Sequence, residues 1–217
     1  MVEAWRERYP GYDVLRKWNT PSWNEKTRRV IEERLAVPRE GRFLDAEEFA
    51  TLVAMADRIT PQPKDREPIP VAALIDHKLL QDQADGYRFE GMPREREAWK
   101  IGLRAIDSEA RAAHGKPFRE LRPDQQDALL HRIESGNASD QAWSGMQPKI
   151  FFKERVLSDI VHAYYAWPTA WNEIGWGGPA SPRGYVRTGY DERDPWEAAE
   201  AHDGDVEAAR ERNRRVG

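Results

Sequence analysis

The segment Trp167–Arg187, WPTAWNEIGWGGPASPRGYVR, constrains this chain more than any other stretch. It brings three tryptophans, a tyrosine, four glycines and three prolines into one short run. Proline removes a backbone donor and fixes φ, while glycine opens φ > 0. Together they predict an irregular path with no regular helix or strand. Large amphipathic aromatics on such a path either fold back onto a core or meet another protein. The expectation divides them: Trp171 and Ile174 fold back in part, and Trp171, Trp176, Arg183 and Tyr185 are the candidate partner contacts. Arg183, beside glycine and tyrosine, can either bridge an interface bidentately or hold the loop's own carbonyls. Arginine and aromatics are both enriched at interface hot spots.

Upstream of this segment the chain reads as helices. Residues 1–41 are charged and carry Trp5, Tyr9, Tyr12, Trp18 and Trp23 at irregular spacing. They are expected to form an extended arm that docks by aromatic anchors, Trp18 and Trp23 among them, with one short helix over Glu25–Leu35. From Phe43 the pattern becomes regular. Asp45 and Glu48 make a capping-box pair, and Phe49, Leu52, Val53, Ala56 and Ile59 follow at helical spacing until TPQP stops the run.

Further helices are expected over 71–83, over 94–113 with a Trp99–Leu103–Ile106–Ala110 stripe closed by Gly115, and from Pro123 to near Gly136. Residues 137–147 read as a polar loop, and 149–166 as the most apolar helix of the chain. The tail from Asp191 is expected to hold a helix from Pro195, interrupted near Gly204. No segment alternates with period two, so the expected class is all-α. The architecture is a bundle-like domain over 42–187, preceded by the arm 1–41 and followed by a charged tail over 188–217.

Composition closes off several functions. A length of 217 residues suits one domain with tails. The net charge of −4 argues against nucleic acid, which needs a basic face. With no cysteine, disulfides, thiolate metal sites, iron–sulfur clusters and cysteine nucleophiles are excluded. No apolar run has the length to span a membrane. The pair Arg28-Arg29 is followed by acidic residues where a twin-arginine signal would be apolar.

Catalytic candidates are few. There is no Gly-x-Gly-x-x-Gly after a strand, no P-loop, no Gly-x-Ser-x-Gly and no His-Glu-x-x-His. Asp159-x-x-His162 and the reversed His131-x-x-Glu134 come nearest to a di-metal helix motif, but the ligand count fails. Asp76-His77 are adjacent on a helix and point to different sides, so they read as surface charge. The expectation is no catalytic, cofactor or metal residue in this chain.

Four motifs in order carry a family resemblance. FLDAEEFATLVAMADRITPQ, PVAALIDHKL, KPFRELRPDQQDALLHRIESG and FFKERVLSDIVHAYYAWPTAWNEIGWGGPASPRGY resemble the gluconate 2-dehydrogenase subunit 3 family over about Arg42–Arg187. The resemblance implies a small, non-catalytic subunit. Its partner would be a large FAD-dependent flavoprotein of the glucose–methanol–choline (GMC) oxidoreductase type acting on sugars or alcohols, often with a c-type cytochrome subunit. It further implies a role in maturation and export of that flavoprotein. The family's usual twin-arginine signal is missing from this sequence. The expected location is therefore cytoplasmic as sequenced, or periplasmic if a signal-bearing partner carries the chain across. Two other readings stand beside this one: a stand-alone metal-dependent helical enzyme using His131, Glu134, Asp159 and His162, and a free-standing helical adaptor.

Overall fold

The computed structural model describes residues 8–86, 89–138, 141–179, 184, 186–202 and 204–216. Helices account for the regular structure, and no strand occurs among the described residues. The chain divides into a central unit, residues 37–164, and a terminal unit built from residues 1–36 together with 165–217. This division differs from the arm, domain and tail read from the sequence, because the two ends of the chain share one core.

In the central unit, α2 (Ala46–Ile59) starts on the expected reciprocal cap. Asp45 Oδ1 accepts from Glu48 N at 2.9 Å, and Glu48 Oε2 accepts from Asp45 N at 3.1 Å. Leu52, Met55 and Ala56 form its buried stripe. A proline-rich loop leads to α3 (Val71–Leu80), which ends three residues earlier than the pattern predicts. Asp76 on α3 is not surface charge. It is 1% exposed, and its carboxylate accepts from the backbone N–H groups of Arg42 (2.7 Å), Phe43 (3.1 Å) and Leu44 (2.8 Å). It thereby fixes the turn that launches α2. His77 points elsewhere and meets Arg42 through Nδ1 at 2.9 Å.

The longest helix, α4 (Glu95–His114), buries Trp99, Leu103, Ile106 and Ala110 as expected and closes on Gly115 at φ 71°. Next comes α5 (Pro123–Glu134), with proline in its first turn. It buries Leu129, Leu130 and Ile133, and Gln126 Nε2 donates to Phe118 O at 3.0 Å. The segment read as a polar loop instead makes a short 3-10 turn, Gln141–Trp143, which drives Trp143 into the core. Trp143 and Trp99 meet Phe151 edge-on, at 6.0 and 5.5 Å between ring centroids.

The apolar helix near the end of this unit is not regular throughout. It runs as α6 (Pro148–Phe151), a π-helical stretch (Phe152–Leu157) and α7 (Ser158–Tyr165). The buried positions are Phe151–Phe152, Arg155–Val156, Asp159–Ile160 and Ala163–Tyr164, a repeat of four. Four residues of α-helix turn about 400°, so such a repeat drifts about 40° per step. The wider i→i+5 turn takes up that drift and keeps all four pairs inward.

In the terminal unit, residues 8–36 do not run as an extended arm. A 3-10 turn (Val14–Asn19) is capped by Asp13, and α1 (Glu25–Leu35) is capped by Asn24 Oδ1 on Thr27 N at 2.8 Å. The stretch WPTAW also departs from expectation. It forms α8 (Pro168–Ile174), with proline in the first turn and Gly175 at the C-cap in the left-handed region. Irregular backbone begins only at Gly175. No helix starts at Pro195; the last one, α9, spans Val206–Arg214. Its Asn213 is fully buried and ties three segments together. Oδ1 accepts from Ala199 N (2.7 Å), and Nδ2 donates to Ala199 O (2.9 Å) and Pro10 O (3.0 Å).

Candidate partner-binding site

The core of the terminal unit is a ladder of indoles. Trp18 meets Trp23 edge-on at 5.6 Å, Trp23 meets Trp171 at 6.4 Å, and Trp171 meets Trp176 at 4.9 Å. The four described residues of the proposed contact set therefore gather into one structure, although they lie at opposite ends of the chain. Arg183 and Tyr185, the other two, lie outside the described residues. The inner rungs are closed to solvent, Trp23 at 2% and Trp171 at 1% exposure, and the outer rungs, Trp18 and Trp176, are half-buried. Trp171 Nε1 donates to Tyr165 O at 2.6 Å, which anchors α8. Ile174 does not fold back; it is exposed.

Local sequence explains how the ladder is held. Val14 N donates to Asn172 Oδ1 at 2.8 Å, so the 3-10 turn is pinned to α8. Gly178 sits at φ 71°, and a Cβ there would lie 2.9 Å from Trp23 Cζ2 and 3.0 Å from Trp171 Cζ3. Only glycine lets the backbone cross the two rings at this distance. Lys17 is buried: its ammonium donates to Ser22 Oγ at 2.9 Å and lies 5.0 Å from the Trp23 ring centroid. Beside it opens a cavity of about 340 Å³, walled by Tyr9, Ser22, Gly177, Arg193 and Trp196 among others. Burial also raises the pKa of the Tyr12 phenol, whose hydroxyl donates to Trp196 O at 3.2 Å. Val186, at 76%, and Tyr190, at 100% exposure, are the most exposed large apolar or aromatic residues described. Tyr9 and Tyr12, aromatics of the expected arm, pack in this cluster; Lys17 and Trp196 belong to the site without having been marked, and nothing in the sequence signals the burial of Lys17.

The central unit holds the strongest electrostatic cluster. Lys78 Nζ lies 2.7 Å from Glu95 Oε1, 3.0 Å from Asp85 Oδ1 and 3.1 Å from Asp159 Oδ1. Asp159 Oδ2 also accepts from Trp99 Nε1 at 2.9 Å, and Arg155 pairs with Asp85. Burial opposes the charge of Lys78, but the hydrogen bonds to Glu95, Asp85 and Asp159 outweigh it and raise its pKa. For Asp85, burial is outweighed by Lys78 and Arg155, and the pKa falls. For Glu95, burial together with the nearby carboxylates prevails over Lys78, and the pKa rises. The three carboxylates have the spacing of a cation site. The lysine ammonium stands where such a cation would bind, so the cluster is an internal ion network.

The residues of the metal-enzyme reading are not brought together. His131 is exposed and pairs with Glu134 at 3.2 Å; His162 is exposed and meets Ser158 Oγ at 3.4 Å; Asp159 is buried on Trp99 and Lys78. The geometry assembles no acid–base or nucleophile constellation from them.

The family model for gluconate 2-dehydrogenase subunit 3 matches residues 46–178. The matched stretch runs from the first residue of α2 to the glycine that crosses the indole ladder, and the chain belongs to this family. No curated protein and no solved structure gives a significant match. No helix among the described residues is long and apolar enough to cross a membrane.

Proposed function

We propose that this chain is the small, non-catalytic subunit of an FAD-dependent dehydrogenase complex acting on a sugar or alcohol. It binds a large flavoprotein of the GMC type and supports its maturation. The family match over residues 46–178 carries the reading. The chemistry of the central unit supports it: Lys78, Asp85 and Glu95, its strongest cluster of perturbed groups, are paired with one another.

The contact surface in this reading centres on the outer rungs of the ladder, Trp18 and Trp176, with Arg183 and Tyr185, which follow in sequence, as further contacts. Trp23 and Trp171 act from within by holding those rungs in place. Aromatic side chains with one face packed and the other open are typical interface anchors. The FAD belongs to the partner, and a c-type cytochrome would complete the electron path. The compartment follows the partner: periplasmic if the flavoprotein carries an export signal, cytoplasmic otherwise.

Co-expression with the large flavoprotein tests the reading. The two chains are expected to co-elute from a sizing column as one species containing FAD. Clean separation into free chains refutes it.

A further inference from the structure

The cavity of about 340 Å³ in the terminal unit is built around a buried cation. Lys17 lines it at 2% exposure, and Ser22, which accepts from the Lys17 ammonium at 2.9 Å, lines it at 3%. Burying an ammonium is costly, and packing alone would be served as well by an apolar side chain of the same size. The opposite side of the wall is aromatic and bare backbone, from Tyr9, Trp196, Gly175, Gly177 and Gly178. Glycine keeps the ammonium open to the space, since a Cβ on Gly177 would lie 3.2 Å from Lys17 Nζ. The volume falls in the range of small-molecule sites, roughly 300–1,000 Å³.

The remaining charges of the wall engage one another. Arg187 donates to Glu197 from Nε and Nη2 at 2.9 Å each, and Arg193 Nε lies 3.7 Å from the same carboxylate. Glu200 accepts from Arg8 Nε at 3.0 Å, and Asp194 accepts from Thr188 N at 3.0 Å. Counting Arg8, the described charges are four cations (Lys17, Arg8, Arg187 and Arg193) against three carboxylates (Asp194, Glu197 and Glu200), a surplus of one positive charge. Arg187 and Arg193 have about half of their side chains in water, which screens them, whereas Lys17 is enclosed. Next to the wall, the buried Trp23 Nε1 is a donor without a hydrogen-bond partner. Gly178 passes over Cζ2 of that ring, two bonds from the nitrogen. A surplus cation and a donor short of an acceptor both favour an occupant that brings negative oxygen.

We infer that this cavity binds a small organic carboxylate with a flat body. The carboxylate pairs with Lys17 and Arg193, and the body rests against the rings of Tyr9 and Trp196. Gly175 and Gly177 flank Trp176, so the ligand lies on the backbone that presents the outer rung of the ladder. The inference goes beyond the subunit reading and needs no second protein.

The test is calorimetric titration of the whole purified chain with sodium benzoate, with acetate, inorganic phosphate and chloride at matched ionic strength for comparison. Benzoate is expected to bind saturably, about tenfold more tightly than acetate because its ring is buried. Phosphate should bind more weakly than benzoate, and chloride should give no saturable heat. Lys17→Met should weaken benzoate binding about tenfold or more. Gly177→Ala keeps the charge, covers the ammonium with a methyl group and should weaken binding likewise; it decides the matter if the lysine variant does not fold. Arg29→Gln removes a cation on the exposed face of α1, with a side chain 65% exposed, and should bind as wild type does. Absence of saturable benzoate binding to wild type overturns the inference. So does a folded Lys17→Met chain that binds as tightly as wild type, or an equal loss in Arg29→Gln, which would mean attraction by overall charge only. Acetate or phosphate binding as tightly as benzoate overturns the assigned ligand class. None of these results touches the co-elution test, so the two readings stand or fall separately.

Discussion

Gly102 lies where α4 passes Phe151, and replacing it with alanine sets two known effects against each other. A Cβ at this position would stand 2.2 Å from Phe151 Cζ and 2.3 Å from Cε1. Carbon atoms pack best at about 3.5–4.0 Å, so the ring would have to retreat by more than about 1 Å. It has nowhere to go, because Phe151 is fully buried with Trp99 and Trp143 edge-on against it. Overpacking of this kind costs about 1–3 kcal/mol, and three coupled aromatics put it toward the upper end. Alanine's better helix propensity returns about 1 kcal/mol. The expected net loss is about 1–2 kcal/mol. For a chain of this size that is a fall in Tm of about 2–8 °C. Urea denaturation should show a lower midpoint with an unchanged slope. Adding Phe151→Leu to Gly102→Ala should recover more stability than the two single changes predict by addition. A Gly102→Ala chain as stable as wild type would refute the argument, since propensity would then outweigh the ring contact.

Replacing Lys78 with methionine removes the cation that Glu95, Asp159 and Asp85 share, leaves Arg155 on Asp85, and should cost about 3–5 kcal/mol. Without the ammonium, the folded carboxylates hold protons more tightly than the unfolded ones. The variant should therefore regain stability as pH is lowered from 7 toward 5. In wild type, Asp85 behaves oppositely: its pKa is depressed, so its contribution is present above the unfolded carboxylate pKa and lost as pH falls through the folded one. Urea melts of the variant from pH 7 to 5, and of wild type on down below the unfolded carboxylate pKa of about 4, check the two signs, and parallel profiles would refute the network's role. Trp171→Ala should cost about 3–5 kcal/mol of stability because its indole is enclosed. Trp176→Ala should cost less than half as much yet release the flavoprotein. Equal thermal losses for the two would make Trp176 core rather than contact.

Much of the central unit is legible in the sequence because its signals are local. Asp45 with Glu48, Pro123, Gly115 and the Trp99–Ala110 stripe each announce a cap, a start, a stop or a face within a few residues. The errors arise where tertiary packing chooses between local options. WPTAW carries proline, which an irregular segment and a helical first turn both accept, and the buried ladder selected the helix. Asp76 looks like a surface charge until the turn at residues 42–44 brings three backbone donors to it. Trp143 stands among polar residues, and its pocket between α4 and Phe151 is visible only in three dimensions. The π-helical stretch left a trace, the four-residue repeat of buried pairs, but Arg155 and Asp159 conceal it by being polar. Of the candidate contact residues, the sequence supplies identities and not depth. Nothing in the spacing separates Trp171, which is enclosed, from Trp176, which is half-open.

The terminal unit is made of two stretches that the whole central unit separates in sequence. Trp23 therefore leaves the ribosome about 150 residues before its ring partner Trp171. At about 5–20 residues per second, the first indoles wait roughly 7–30 s for their partners while the central helices can already pair with one another. The final clasp, Asn213 on Pro10, comes last of all. Any chain cut or stalled before α9 would keep its central unit and present an unfinished aromatic cluster. Quality control in the cell would meet this protein first as an exposed row of tryptophans, and its half-life there should depend on its last fifty residues more than on its core.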